Sequence, residues 1–173
     1  NELQMYIYSC MDCLYIGNCD GVFDHDDDDG EYGDNAPDWS VNENDYETNS
    51  GVTAIVYIDG DVQGGADDIL AAFGPDGSVR GVASPAGNIP VPPSPYFGLN
   101  HYNITVYGND HENGSTFTFK YYSASNDQVV ELTETITFAP PGAVGGVTDP
   151  LMLNGTLTSD TEDCAAGDSD DDG

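Results

Sequence analysis

Lysine and arginine are almost missing from this chain. Arg80 and Lys120 are the two among 173 residues, against 32 Asp and Glu, for a formal charge of −30 at pH 7. That shortage excludes nucleic acid as a partner, because phosphate backbones are bound by neutralising them with basic side chains. It disfavours phosphorylated and acidic ligands for the same reason. Long apolar runs are missing as well. No stretch approaches the roughly 18 consecutive apolar residues of a spanning helix, so no membrane insertion is expected. Tryptophan occurs once, and hydrophobic residues make up 38 % of the chain, enough for one core of ordinary size. The motifs G-x-S-x-G, H-E-x-x-H and G-x-x-x-x-G-K do not occur. Carboxylate pairs for glycoside hydrolysis abound, but nothing singles one out, and the chain reads as non-enzymatic. The partners left open are cations, cationic surfaces, neutral glycans and other copies of the chain.

What is present in excess is aspartate, gathered into two runs. Asp24, Asp26, Asp28, Asp29 and Glu31 surround Gly30, and Asp168, Asp170 and Asp172 precede Gly173. Carboxylates two residues apart and closed by glycine turn several hard oxygens toward one point, which suits Ca²⁺ and its roughly six to eight oxygen ligands. The competing reading is a solvated acidic linker and a disordered acidic tail, since blocks of like charge are usually disordered. The second run follows the first half of a D-x-D-x-D-G calcium loop and lacks the distal glutamate. Its remaining ligands would come from the first run or from another copy. Asp59, Asp61, Asp67 and Asp68 form a further candidate Ca²⁺ cluster, or serve simply as turn residues. His25 lies inside the first run, where a solvated, charged imidazole is expected.

The four cysteines, Cys10, Cys13, Cys19 and Cys164, read as two disulfides with three possible pairings. The favoured pairing ties Cys164 to the N-terminal cluster, because the acidic runs follow Cys19 and Cys164 at similar offsets. A zinc site would want a second pair at matching spacing, which is lacking. Sequons at Asn103, Asn113 and Asn154 fit a secreted glycoprotein. Asn1 is no initiator, and the chain is read as a mature, processed form.

Three regions follow. Residues 1–37 are rich in Cys and Asp and open with the apolar run Leu3 to Tyr8. With no partner strand nearby, residues 1–9 are expected to pair with the main domain or to be donated to another molecule. Residues 38–157 read as an all-β domain, and 158–173 as an acidic tail. Eleven Tyr, six Phe, 21 Gly and 10 Pro favour an aromatic-packed, turn-rich β fold. Strands are expected at 52–58, 69–73, 78–83, 102–107, 116–121, 129–138 and 151–153, with turns at Asp59-Gly60, Asp76-Gly77, Asn113-Gly114 and Asn126-Asp127. One helical turn is conceivable near Asp67 to Ala71. Pro90, Pro92, Pro93 and Pro95 mark a surface loop. The expected fold is an antiparallel β-sandwich of seven or eight strands, with disulfide-tied, Asp-rich terminal extensions.

Several stretches carry a resemblance: Asp38 to Glu47, Val52 to Gly60, Asp67 to Phe73, Val79 to Ala83, Tyr102 to Gly108 and Phe117 to Lys120. Together they resemble a β-sandwich module of large secreted and cell-surface proteins that often sits beside Asp-rich calcium-binding repeats. The resemblance covers about residues 38–155 and implies an extracellular β-sandwich with no assigned activity. It also implies an acidic residue near the Arg-Gly pair, here Asp67 or Asp68 beside Arg80.

The functional expectation is a calcium-binding structural subunit of an extracellular filament or surface layer, joined head to tail with copies of itself. The alternative is a carbohydrate-binding or adhesion module, with Trp39, Tyr96, Tyr121 and Tyr122 stacking on a neutral sugar.

Overall fold

The computed structural model describes residues 36–158. The four cysteines, both Asp-rich runs and the apolar run Leu3 to Tyr8 lie outside the described residues. The domain is all-β, with its strands in two sheets.

The first sheet is built around β1 (Thr48–Ile58), whose alternation points Val52, Ala54, Val56 and Ile58 into the core. Its outward Ile55 is fully buried too, so β1 reads as apolar on both faces, as an inner strand should. Asp59 and Gly60, both at positive φ, turn the chain into the short β2 (Asp61–Val62). On the same side β1 pairs antiparallel with β6 (Asn100–Gly108), which in turn pairs with β5 (Pro85–Asn88). On its other side β1 pairs with β10 (Ala143–Val144) and β11 (Leu151–Gly155). Both of these run parallel to β1, so the first sheet is mixed and not antiparallel throughout, as the sequence had suggested.

The second sheet runs β4 (Val79–Ala83), β3 (Ile69–Phe73), β7 (Thr116–Ser123) and β8 (Gln128–Glu131), with β9 (Ile136–Thr137) also on β7. Among the described residues eleven strands thus replace the expected seven or eight. The expected strand 129–138 is split, because residues 132–135 leave the ladder. The helical turn near Asp67 is absent, since Ile69 already belongs to β3. Asn113-Gly114 does not cap a hairpin either. It follows a 3₁₀ turn at Asp110–Glu112 and carries the chain from β6 in one sheet to β7 in the other.

The sheets face each other across a core of Leu70, Phe117, Phe119, Tyr121, Val130, Leu132, Ile136 and Phe138 on one side. Val56, Tyr102, Ile104, Val106 and Leu153 face them from the other. Tyr102 and Tyr121 meet edge-on with centroids 6.0 Å apart, while Phe117 and Phe138 stack at 4.7 Å. Burial of each such side chain contributes about 2 kcal/mol. The sheets are joined at a corner where β4 ends at Ala83 and β5 begins at Pro85. There Gly81 passes so close to β6 that a Cβ at this position would lie 2.3 Å from the Thr105 carbonyl oxygen. A side chain cannot be accommodated without moving a backbone. We therefore expect Gly81→Ala to cost about 2 kcal/mol or more in urea unfolding. Gly51→Ala, where a Cβ meets nothing within 4 Å, is expected to stay within about 0.5 kcal/mol of the parent.

Candidate functional site

Arg80, on β4, is 3 % exposed. A buried charge is costly unless it is paired and hydrogen-bonded, and here its donors are taken up. Nη1 and Nη2 form a fork to Glu112 Oε2 and Oε1 at 2.8 and 2.7 Å, Nη2 also reaches Asp76 Oδ2 at 3.1 Å, and Nε donates to Ser78 Oγ at 2.8 Å. The guanidinium lies 4.7 Å from the centroid of Tyr46. Glu112 Oε2 also accepts the Asn109 amide proton at 2.7 Å. Arg80 thus ties together the β3–β4 turn, the 3₁₀ turn before β7 and the segment leading into β1. The hydrogen bond from Arg80 holds the Glu112 carboxyl below its ordinary range. Asp76 is lowered as well, first by the Ser78 hydroxyl. The expected partners of Arg80, Asp67 and Asp68, do not contact it.

Asp68 is engaged elsewhere. It is 4 % exposed, accepts the hydroxyl of Tyr121 and the amide of Gly65 on Oδ2, and accepts the Ala124 amide on Oδ1 at 3.0 Å. The Tyr102 hydroxyl lies 3.2 Å from that of Tyr121. Burial raises both tyrosine pKa values well above the ordinary phenol value, so both hydroxyls remain protonated at neutral pH. The Asp68 carboxyl therefore pins the β2–β3 loop and the β7–β8 turn to the core. Beside it opens a cleft of about 580 Å³ lined by Gln63, Gly64, Asp67, Asn100 and Ser125 among others.

The remaining sequence candidates are scattered. Asp59 and Asp61 are exposed at the β1–β2 turn, and Asp67 is exposed on the cleft rim. Among the described residues no three His, Cys, Asp or Glu side chains converge as a metal-holding group. The expected Ca²⁺ cluster of Asp59, Asp61, Asp67 and Asp68 is therefore not assembled, because Asp68 turns inward to backbone and tyrosine donors while the others face solvent. The aromatic platform is not assembled either. Tyr121 and Tyr122 are buried, and Trp39 is half-buried, edge-on to Phe73 at 5.6 Å. His101 is buried with Nδ1 2.7 Å from the Gly87 carbonyl, and His111 is exposed.

The sequons differ in their surroundings. Asn113 is exposed at a turn. Asn103 engages Thr53 and His101, and Asn154 bonds through both its amides to Glu134. Sequence reasoning missed Glu112, which lies 32 positions from Arg80. No sequence signal singles it out among the carboxylates of the domain: Glu112 meets Arg80 because β6, which it follows, packs beside β4.

Comparison with protein-family models, curated proteins and solved structures finds no match to this chain.

Glu112→Gln removes the buried counter-charge of Arg80 and leaves the more exposed Asp76 alone to match it, and we expect it to cost about 3 kcal/mol at neutral pH by urea unfolding. The sign of the pH dependence follows from a folded pKa below the unfolded one. The stabilisation from Glu112 is present above the unfolded carboxylate pKa and is lost as pH falls through the lowered folded value. The parent protein should therefore lose stability on acidification in that window, and the Gln variant should lose less.

Proposed function

We propose that this protein is a non-enzymatic, calcium-binding structural subunit of an extracellular filament or surface assembly. One observation carries the reading: both fixed cations of the chain are already paired with carboxylates of the sandwich, Arg80 in its interior and Lys120 on its surface. Arg80 is held by Glu112 and Asp76, and Lys120 pairs with Glu131 at 2.9 Å while lying 5.5 Å from the Phe73 centroid. No lysine or arginine is left unpaired to neutralise the runs Asp24 to Glu31 and Asp168 to Asp172. Their counter-charge must come from solution, and closely spaced carboxylates favour a divalent ion with oxygen preference over diffuse monovalent screening.

The four cysteines, the three sequons and the resemblance to secreted modules support the extracellular placement, where millimolar Ca²⁺ fills even weak sites. The buried carboxyls Asp68 and Glu112, each saturated by donors of the fold itself, support a scaffold role for the sandwich. The apolar run Leu3 to Tyr8 supports assembly by strand donation.

Linkage sets the scale, about 1.4 kcal/mol of stabilisation per tenfold excess of ion over its dissociation constant. We expect a chelator to shrink particles of the full chain, followed by light scattering. The thermal melt of the sandwich should move less, because its core contains no expected Ca²⁺ ligand except Asp68, which protein donors already satisfy. Particle size and melt both indifferent to chelator and to added Ca²⁺ would sink the calcium reading.

A further inference from the structure

We propose that the cleft beside Asp68 binds a neutral sugar residue, a ring of hydroxyls held by the side chains of Gln63, Asp67, Asn100 and Ser125. Calcium-driven assembly neither requires such a site nor follows from it, so the two readings fail separately. The cleft measures about 580 Å³, within the roughly 300–1,000 Å³ of small-molecule sites. It lies where the β2–β3 loop, the start of β6 and the β7–β8 turn meet.

The walls are fixed by the fold. The Asp68 carboxyl accepts the Gly65 amide, the Tyr121 hydroxyl and the Ala124 amide, and so ties the loop to the turn. On β6, Asn100 sits against the backbone of Gly64: a Cβ at Gly64 would lie 2.5 Å from Asn100 Cβ and Nδ2. Only glycine lets the loop and β6 close on each other at this point. Little ordering remains to be done when a ligand enters.

The polar groups that line the cleft are a mixed set. Gln63 Nε2 is spent on the Asp61 carbonyl at 2.9 Å, which leaves Oε1 to accept. Ser125 Oγ accepts the Asn126 amide at 3.2 Å, and its proton is free to turn to Ser123 Oγ at 3.3 Å or to a ligand. Asp67 is exposed and Asn100 half-buried, and neither side chain is hydrogen-bonded by another of the described residues. A sugar hydroxyl both donates and accepts, so a cyclic polyol satisfies every member of this set. Other ligand classes leave some unmet. An anion finds no Lys, Arg or His in the lining. A metal ion finds one available carboxylate, since Asp68 is saturated by protein donors and no three His, Cys, Asp or Glu converge among the described residues. An ammonium group brings donors only and leaves the Asn100 amide protons without an acceptor. Val62 and Ala66 offer apolar surface to the C–H face of the ring. No aromatic side chain lines the cleft, so binding is weak, on the order of millimolar.

The test is NMR on the full chain in chelator, with glucose, galactose, mannose and N-acetylglucosamine as probes at concentrations on the order of tens of millimolar, above the expected dissociation constant. We expect at least one of these sugars to receive saturation transfer from the protein and to shift the backbone amides of Gly64, Asp67, Asn100 and Ser125. Asp67→Asn and Asn100→Ala should each weaken that binding about tenfold, the loss of one well-placed hydrogen bond. Asp149→Asn removes an exposed carboxylate that does not line the cleft, and it should bind as the parent does. Asp67→Asn keeps the shape of an exposed side chain, so its result does not hinge on folding, and a thermal melt checks Asn100→Ala. No saturation transfer to any of the four sugars would overturn the inference. Amide shifts confined to other residues, or parental binding by both cleft variants, would do the same. Shifts at the cleft produced by Ca²⁺ or an alkylammonium ion, with none from the sugars, would overturn it and give the cleft to a cation. None of these outcomes bears on particle growth in Ca²⁺, which tests the assembly by itself.

Discussion

The charge imbalance governs how this chain is built. With 32 acidic residues and two fixed cations, the protein cannot neutralise itself, and its fold spends both cations locally. Arg80 is buried where its charge is matched, between the Glu112 fork and Asp76, with its guanidinium over the Tyr46 and Phe117 rings. A buried ion pair of this kind adds little net stability over an apolar filling, but it is unforgiving once one partner is lost. Its consequence is positional: three chain segments far apart in sequence are fixed to one guanidinium. More than half of the acids fall in residues 1–35 and 159–173, so the sandwich can pack a conventional apolar core while most of the charge lies in the flanking stretches.

The strands were legible because their signals are local. Period-two burial in β7, the apolar centre of β1, and the turns at Asp59-Gly60, Asp76-Gly77 and Asn126-Asp127 all depend on neighbours within a few residues. What the sequence did not disclose depends on distant ones. The parallel pairing of β11 with β1 follows from where the chain returns after some ninety residues. The interruption at residues 132–135 reflects Thr133 and Glu134 turning to the edge of β11 instead of staying on β7. Asn113-Gly114 carries a strong hairpin signature, but the strands it connects belong to different sheets, because the preceding 3₁₀ turn delivers Glu112 to Arg80.

The site was less legible than the fold, for a related reason. Asp67 and Asp68 are adjacent and look equivalent, yet one is exposed and the other is buried against Tyr121, and only tertiary contacts distinguish them. Tyr121 and Tyr122 point to opposite faces of β7 and are both buried, which period-two reasoning alone would not give. The uncharged stretch from Gly81 to Asn109 was countable in the sequence. That it builds the end of β4, all of β5 and all of β6 shows only in the strand assignments.

Repulsion and adhesion act over different distances in such a molecule. Between two copies of charge −30, repulsion reaches about one Debye length, roughly 10 Å at 0.1 M salt. Strand pairing across an edge begins to contribute only at about 5 Å. A neutral edge therefore cannot draw copies together by itself at low ionic strength, and cations alone supply no geometry. The two requirements are complementary. In the proposed assembly, ions bound along the Asp runs would lower the barrier to approach, and strand pairing would set the register once approach has occurred. Monovalent salt and Ca²⁺ then act differently: the first weakens repulsion only at concentrations that shorten the Debye length, whereas bound Ca²⁺ removes charge at millimolar levels, where its screening is slight. An assembly built on both terms responds to millimolar Ca²⁺ far more steeply than to sodium at equal ionic strength.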